Sequence, residues 1–173
     1  MATFLLLPNA TGLASAHWGT SGESTRHECL DDDNGNTSYV KCQPNGRYMI
    51  IEYANPSIAE GNVASITSVR FLSSGKANHR TDPSLVAISF AAPFAGFSET
   101  VSYDAHRTNF ETINGIARTT SDGSNAWTYS NLEGLKMLCT KSGTIEVYLS
   151  YLALEVTYTE AGADDAIFFG TNF

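Results

Sequence analysis

The chain has 173 residues, of which 42% are hydrophobic and 16% charged, a balance that excludes a disordered polymer and fits one domain with its own core. Ten Lys and Arg against 18 Asp and Glu leave a formal charge of −8. That sign repels phosphate and anionic lipid, so neither nucleic acid nor a membrane surface is an expected partner.

In chain order, the first apolar run is Phe4–Leu7, with no basic segment before it. It is too short for a signal-peptide core and for a membrane span, and no later stretch reaches the roughly 18 apolar residues of a spanning helix. The expectation is a soluble protein assembled in the cytoplasm. Residues 8 to 38 are rich in Gly, Ser, Thr, Asn and Asp and read mainly as loops. Within them, Asp31-Asp32-Asp33-Asn34-Gly35-Asn36 invites comparison with a calcium loop, but Gly35 falls at the fifth position and Cys42 at the twelfth. An EF-hand needs Gly at the sixth and Glu at the twelfth, so this is read as an acidic turn before a strand around Tyr39.

Strand signals dominate the middle of the chain. Arg47–Tyr53 is one strand, stopped by Asn55-Pro56, and Ile66–Leu72 is another, closed by Ser73-Ser74-Gly75. Leu85–Phe90 places Val86, Ile88 and Phe90 in phase. Phe97–Tyr103 alternates Phe97, Val101 and Tyr103 against Ser98, Thr100 and Ser102, with Glu99 as the exception on the inward phase at a solvent-washed rim. Ser130 and Glu133 then fit a capping box, with Leu132, Leu135 and Met137 or Leu138 facing the core over about two helical turns and Trp127 packed above them. The last strand is the longest. Its odd positions are apolar from Ile145 to Tyr151, and from Leu152 the phase reverses to Leu152, Leu154, Val156 and Tyr158. A one-residue slip of that kind is a β-bulge, placed near Tyr151-Leu152-Ala153, in a central strand paired on both edges.

These elements give an all-β, jelly-roll-like antiparallel β-sandwich with one short helix before the last long strand. Residues 1–160 form the single sandwich domain, and residues 161–173 form an apolar C-terminal extension. That extension carries Ile167, Phe168, Phe169 and Phe173 on too few residues for a core of its own. Burying one such side chain is worth about 1.5–3 kcal/mol, so these four are the candidate interface residues, docking on the same sandwich or on a neighbouring subunit.

The chemistry of a catalytic or metal site is not written in the chain. Cys29, Cys42 and Cys139 form no C-x-x-C pair and are expected reduced and packed as small apolar groups, although a Cys29–Cys42 bridge is conceivable. His17, His27, His79 and His106 are scattered through polar segments without ligand spacing, and there is no nucleophile elbow, P-loop or dinucleotide fingerprint. Glu99, Asp104 and Glu111 are carboxylates with no local pattern for paired glycoside chemistry. The expectation is no catalytic residue, no cofactor and no metal. Trp18, Tyr39, Tyr48, Tyr103 and Trp127 are the side chains that would stack on sugar rings. Most lie at strand positions or beside the short helix, where aromatics are ordinarily core.

Three segments, in order, carry a resemblance to a known family. The first is the short apolar N-terminal strand followed by the Gly/Ser/Trp-rich loop, Asp31-Asp32-Asp33 and Tyr39-Val40; the second is Ile66-Thr67-Ser68-Val69-Arg70-Phe71. The third is Trp127-Thr128 with Leu132 and Leu135, then Leu154-Glu155-Val156-Thr157-Tyr158. With these the chain resembles phage-encoded β-sandwich virion structural proteins. The resemblance implies a jelly-roll-like sandwich in a head or tail, without a catalytic centre. The expected role is a capsid decoration or cement protein on the outside of the major capsid shell. Its partners would then be the major capsid protein, other virion proteins and further copies of itself, a trimer being the favoured homo-oligomer. The alternatives are a low-copy tail, neck or fibre component, or a carbohydrate-binding module.

Overall fold

The computed structural model describes residues 1–79, 82–91, 98–104 and 109–162. Along them run β1 (Ala2–Leu6), β2 (Pro8–Ala14), β3 (Gly19–Ser21), β4 (Tyr39–Cys42), β5 (Tyr48–Tyr53), β6 (Val63–Ala77), β7 (Ser84–Phe90), β8 (Ser98–Tyr103), β9 (Glu111–Asn114), α1 (Tyr129–Leu132), β10 (Lys136–Ser142) and β11 (Val147–Glu160). One sheet has the order β3-β4-β11-β6-β9, with β1 also paired to β11; the other has the order β2-β5-β10-β7-β8. All of these pairings are antiparallel. The chain therefore passes repeatedly from one sheet to the other, and the expected all-β sandwich is the fold.

The core forms where alternation turns apolar side chains inward from both layers. Val69, Phe71, Leu152, Leu154 and Val156 of the first sheet pack against Met49, Ile51, Val86, Ile88, Met137 and Cys139 of the second. The strand β11 is central, as expected: β6 runs along one edge, while β4 and then β1 pair on the other. Its phase reversal lies one residue before the expected span. The register shifts between Leu149 and Tyr151, so Ser150 is the extra residue and donates to Asp33 Oδ1 at 3.3 Å.

Three sequence expectations are corrected. Ser73-Ser74-Gly75 does not close a strand; β6 continues through it to Ala77. The small residues serve close packing instead. Tyr103 Oη donates to Ser73 Oγ at 2.8 Å, and a methyl group on Gly75 would stand 2.6 Å from the Tyr103 ring. The helix is a single turn, capped at Thr128 rather than Ser130, with the Asn131 side chain accepting from the Thr128 N–H at 2.8 Å. Leu132, Leu135 and Met137 are all buried as expected, but Leu135 follows the helix and Met137 lies in β10. Residues 8 to 38 also contain two strands, β2 and β3, which form the outer edges of the two sheets.

Lys141 explains why β10 resembles no strand in sequence. It occupies an inward position and is fully buried, its Nζ donating to the carbonyl oxygens of Ser142 and, at 3.1 Å, Gly143. Burial lowers its pKa. The ammonium thus finds carbonyl acceptors at the last residue of β10 and at the residue beyond it.

Candidate functional site

The outer-edge strands β2 and β3 belong to different sheets, and the chain crosses between them over residues 15–18. Residues 22–30 close over this crossing. Leu30 is buried in the core and its carbonyl accepts from the Leu152 N–H at 3.0 Å, which anchors the far end of the segment. At the near end Gly22 has φ +93°, and a Cβ there would lie 2.1 Å from the Thr37 carbonyl oxygen. Only glycine fits that approach. Between these anchors Glu28 Oε2 accepts from Ser24 Oγ at 2.8 Å, Thr25 N at 2.9 Å and Thr25 Oγ1 at 2.7 Å. These bonds hold the Glu28 carboxyl below the usual carboxylate range, the Thr25 hydroxyl contributing most.

The crossing and the covering segment enclose an open cavity of about 570 Å³. Its walls are Ala10 and Thr11 of β2, Ala16, Trp18, Gly19 and Thr20 of the crossing and β3, and Ser24, Thr25, Arg26 and His27 of the cover. Arg26 Nε donates to the Trp18 carbonyl at 2.7 Å, which fixes the guanidinium at the wall. The His27 ring lies 3.4 Å from Thr11 Oγ1 and 3.1 Å from Thr25 Oγ1 through Nδ1. Among the described residues no carboxylate lines the cavity, Glu28 standing beside it on Ser24 and Thr25. In a chain of net charge −8, this wall presents a cation, an imidazole and four hydroxyl groups.

Trp18 adds an unsatisfied donor. The residue is 0% exposed and its Nε1 has no hydrogen-bond partner among the described residues. A buried, unpaired N–H costs about 1–3 kcal/mol. The position of this cavity was not legible in the sequence, because its polar residues come from three separate segments that read only as loop.

The aromatic residues expected to be core divide. Trp18, Tyr103 and Trp127 are buried, Trp127 at 4% exposure with its ring 5.4 Å from Phe90 and its Nε1 donating to Arg118 O at 2.9 Å. Tyr48 is 42% exposed and Tyr39 is half-buried. Tyr39 stands edge-on to Tyr148 at 5.2 Å on the outer face of the first sheet, beside Phe110 at 6.2 Å. Lys76 Nζ lies 4.7 Å from the Phe110 ring centre and donates to Asn36 Oδ1 at 2.5 Å. Tyr148 Oη donates to Glu146 Oε2 at 2.6 Å, and burial, reinforced by that carboxylate, pushes its phenol up to about 12.

The remaining candidates stand as follows. Cys29, Cys42 and Cys139 are buried free thiols. Glu99 Oε2 accepts from Ile116 N at 3.0 Å and Glu111 Oε1 from Asp104 N at 2.7 Å, so both carboxylates brace loops. No group of three or more His, Cys, Asp or Glu among the described residues is placed to hold a metal. No described helix is long and apolar enough to cross a membrane. Ile167, Phe168, Phe169 and Phe173 lie outside the described residues, as do Phe97 and His106.

No family model and no curated protein matches the chain. Among solved structures it is similar to a family 29 carbohydrate-binding module from Piromyces equi, with 13% identity, coverage of 96% of this chain and 97% of that one, and a TM-score of 0.41. It is also similar to the capsular polysaccharide assembling protein CapF from Staphylococcus aureus, with 12% identity, coverage of 75% of this chain and 31% of that one, and a TM-score of 0.20. Both likenesses fall below the level of a common fold, so neither bears on function.

Proposed function

We propose that the chain is a non-enzymatic structural protein of a phage particle, carried on the outside of the shell as a decoration or cement subunit. The observation that supports this reading is how the segments resembling phage virion proteins meet in space. The N-terminal strand β1 and the Ile66–Phe71 part of β6 flank the Leu154–Tyr158 end of β11: Leu6 is opposite Leu154, and Leu154 is opposite Phe71. Trp127 joins the same unit, because the Arg118 carbonyl it binds also accepts from the Val69 N–H of β6 at 2.9 Å. The resemblance therefore falls on one contiguous structural unit rather than on unrelated surface patches. The net charge of −8 suits a position away from packaged DNA, since every approach to phosphate would be repulsive.

Binding through the extension at residues 161–173 belongs to the same proposal. It supplies the apolar contact with the major capsid protein or with further copies of this chain, arranged as a trimer. Antibody labelling of intact particles from the encoding phage tests the placement. Label over the head surface agrees with it; label confined to the tail moves the chain to the tail, and unlabelled intact particles that contain the chain after disruption refute an external position.

Of the five rings expected to carry the carbohydrate-binding alternative, Trp18, Tyr103 and Trp127 are buried and present no ring face to a glycan, while Tyr48 is exposed and Tyr39 half-buried.

A further inference from the structure

We infer that the cavity between the edge strands β2 and β3 is a binding site for a sugar ring that bears a carboxylate. This inference does not depend on the role of the chain in a particle. The cavity volume of about 570 Å³ falls within the range of small-molecule sites and far exceeds what a lone anion fills. Its wall combines the features such a ligand requires. Arg26 uses only Nε in its bond to the Trp18 carbonyl, which leaves both terminal guanidinium nitrogens for the two oxygens of one carboxylate. Thr11 and Thr20 carry hydroxyls that donate and accept, as the hydroxyls of a sugar do, while Ser24 and Thr25, whose protons go to Glu28 Oε2, offer lone pairs. Ala10 and Ala16 supply apolar wall for the ring carbons, and Trp18 is fully buried beside them. No described lining residue carries a carboxylate, and the neighbouring Glu28 has its Oε2 taken up by Ser24 Oγ, Thr25 N and Thr25 Oγ1.

Other features carry less. In the Tyr39–Tyr148–Phe110 cluster the Tyr148 hydroxyl is already bonded to Glu146 and a cation already lies over one ring. Buried Lys141 is spent on carbonyl oxygens.

Two tryptophans give the test an internal reference. The indole N–H signals of Trp18 and Trp127 are assigned in the full chain by Trp→Phe variants and followed during titration with glucuronate, glucose, acetate and inorganic phosphate. Glucuronate is expected to shift the Trp18 signal saturably, with a dissociation constant on the order of 1 mM, while the Trp127 signal, already bonded to Arg118, stays in place. Arg26→Lys keeps the charge but loses the fork, and is expected to weaken glucuronate at least tenfold. Thr20→Val, at an exposed position whose side chain makes no hydrogen bond among the described residues, gives a several-fold loss and serves if the Arg26 variant unfolds. Equal binding of glucose overturns the carboxylate requirement, and equal binding of acetate or phosphate overturns the sugar. A Trp18 signal unmoved by glucuronate overturns the site.

Discussion

Trp127 gives the sharpest quantitative test of how this sandwich is held together. Its ring is 4% exposed, meets Phe90 edge-on at 5.4 Å, and its Nε1 donates to Arg118 O at 2.9 Å. Truncation to alanine removes a buried aromatic, which costs about 3–5 kcal/mol in protein cores. The lost hydrogen bond adds only about 0.5–1.5 kcal/mol, because the Arg118 carbonyl keeps its second donor, Val69 N, at 2.9 Å. A total near 5 kcal/mol would lower the melting temperature by roughly 10–20 °C for a chain of this size. Trp127→Phe separates the parts: the Phe90 contact survives while the indole donor is lost, so it should cost less than half as much. Urea denaturation with both variants, and a double-mutant cycle with Phe90→Leu, gives the numbers. Coupling between the two rings should be about 0.5–1.5 kcal/mol. Loss of less than about 2 kcal/mol in Trp127→Ala would refute the core role and return this ring to the surface functions considered for it.

Further outcomes follow from the same geometry. Gly22→Ala places a methyl group 2.1 Å from the Thr37 carbonyl oxygen at φ +93°, so it should destabilise the chain by at least about 2 kcal/mol and broaden the amide signals of residues 22–30; an unchanged spectrum would contradict that wall. Burial pushes the Cys139 thiol up to about 12 from 9.0 and the Cys42 thiol up to about 11. These folded-state values lie above the unfolded ones, so the stabilisation is complete below pH 9 and is lost as pH rises through 11 and 12. The unfolding free energy from urea titrations should fall from pH 9 upward by as much as about 1.4 kcal/mol per pH unit for each thiol, and Cys139→Val should reduce that slope; a flat wild-type profile would contradict the burial. A chain ending at residue 162 should keep its melting temperature within a few degrees but lose self-association by light scattering and binding to particles; undiminished binding would remove the extension from the interface.

The legible part of this fold was the part built on strict alternation. In β7, Val86, Ile88 and Phe90 turn inward as their spacing requires, and in β8, Val101 and Tyr103 do so against exposed Ser98, Thr100 and Ser102. The phase reversal in β11 announced a bulge, and Ser150 supplies it. Sequence failed where a residue serves a partner that is remote in the chain. Ser73 and Gly75 look like a turn because their roles depend on Tyr103, about thirty positions away. In β10, Lys141 breaks the apolar pattern because it satisfies carbonyls, and the leucines before it mimic a helical stripe across a one-turn helix. The cavity was invisible for the same reason. Thr11, Arg26 and His27 gain meaning only when the two sheet edges are brought together under one covering segment.

The central claim, a phage particle component displayed in many copies, is tested most directly by quantitative mass spectrometry of purified particles from the encoding phage, counting this chain against the major capsid protein. The account predicts hundreds of copies per particle. A handful would place the chain in a tail, neck or fibre and contradict the decoration role, and none at all would contradict a virion protein of any kind.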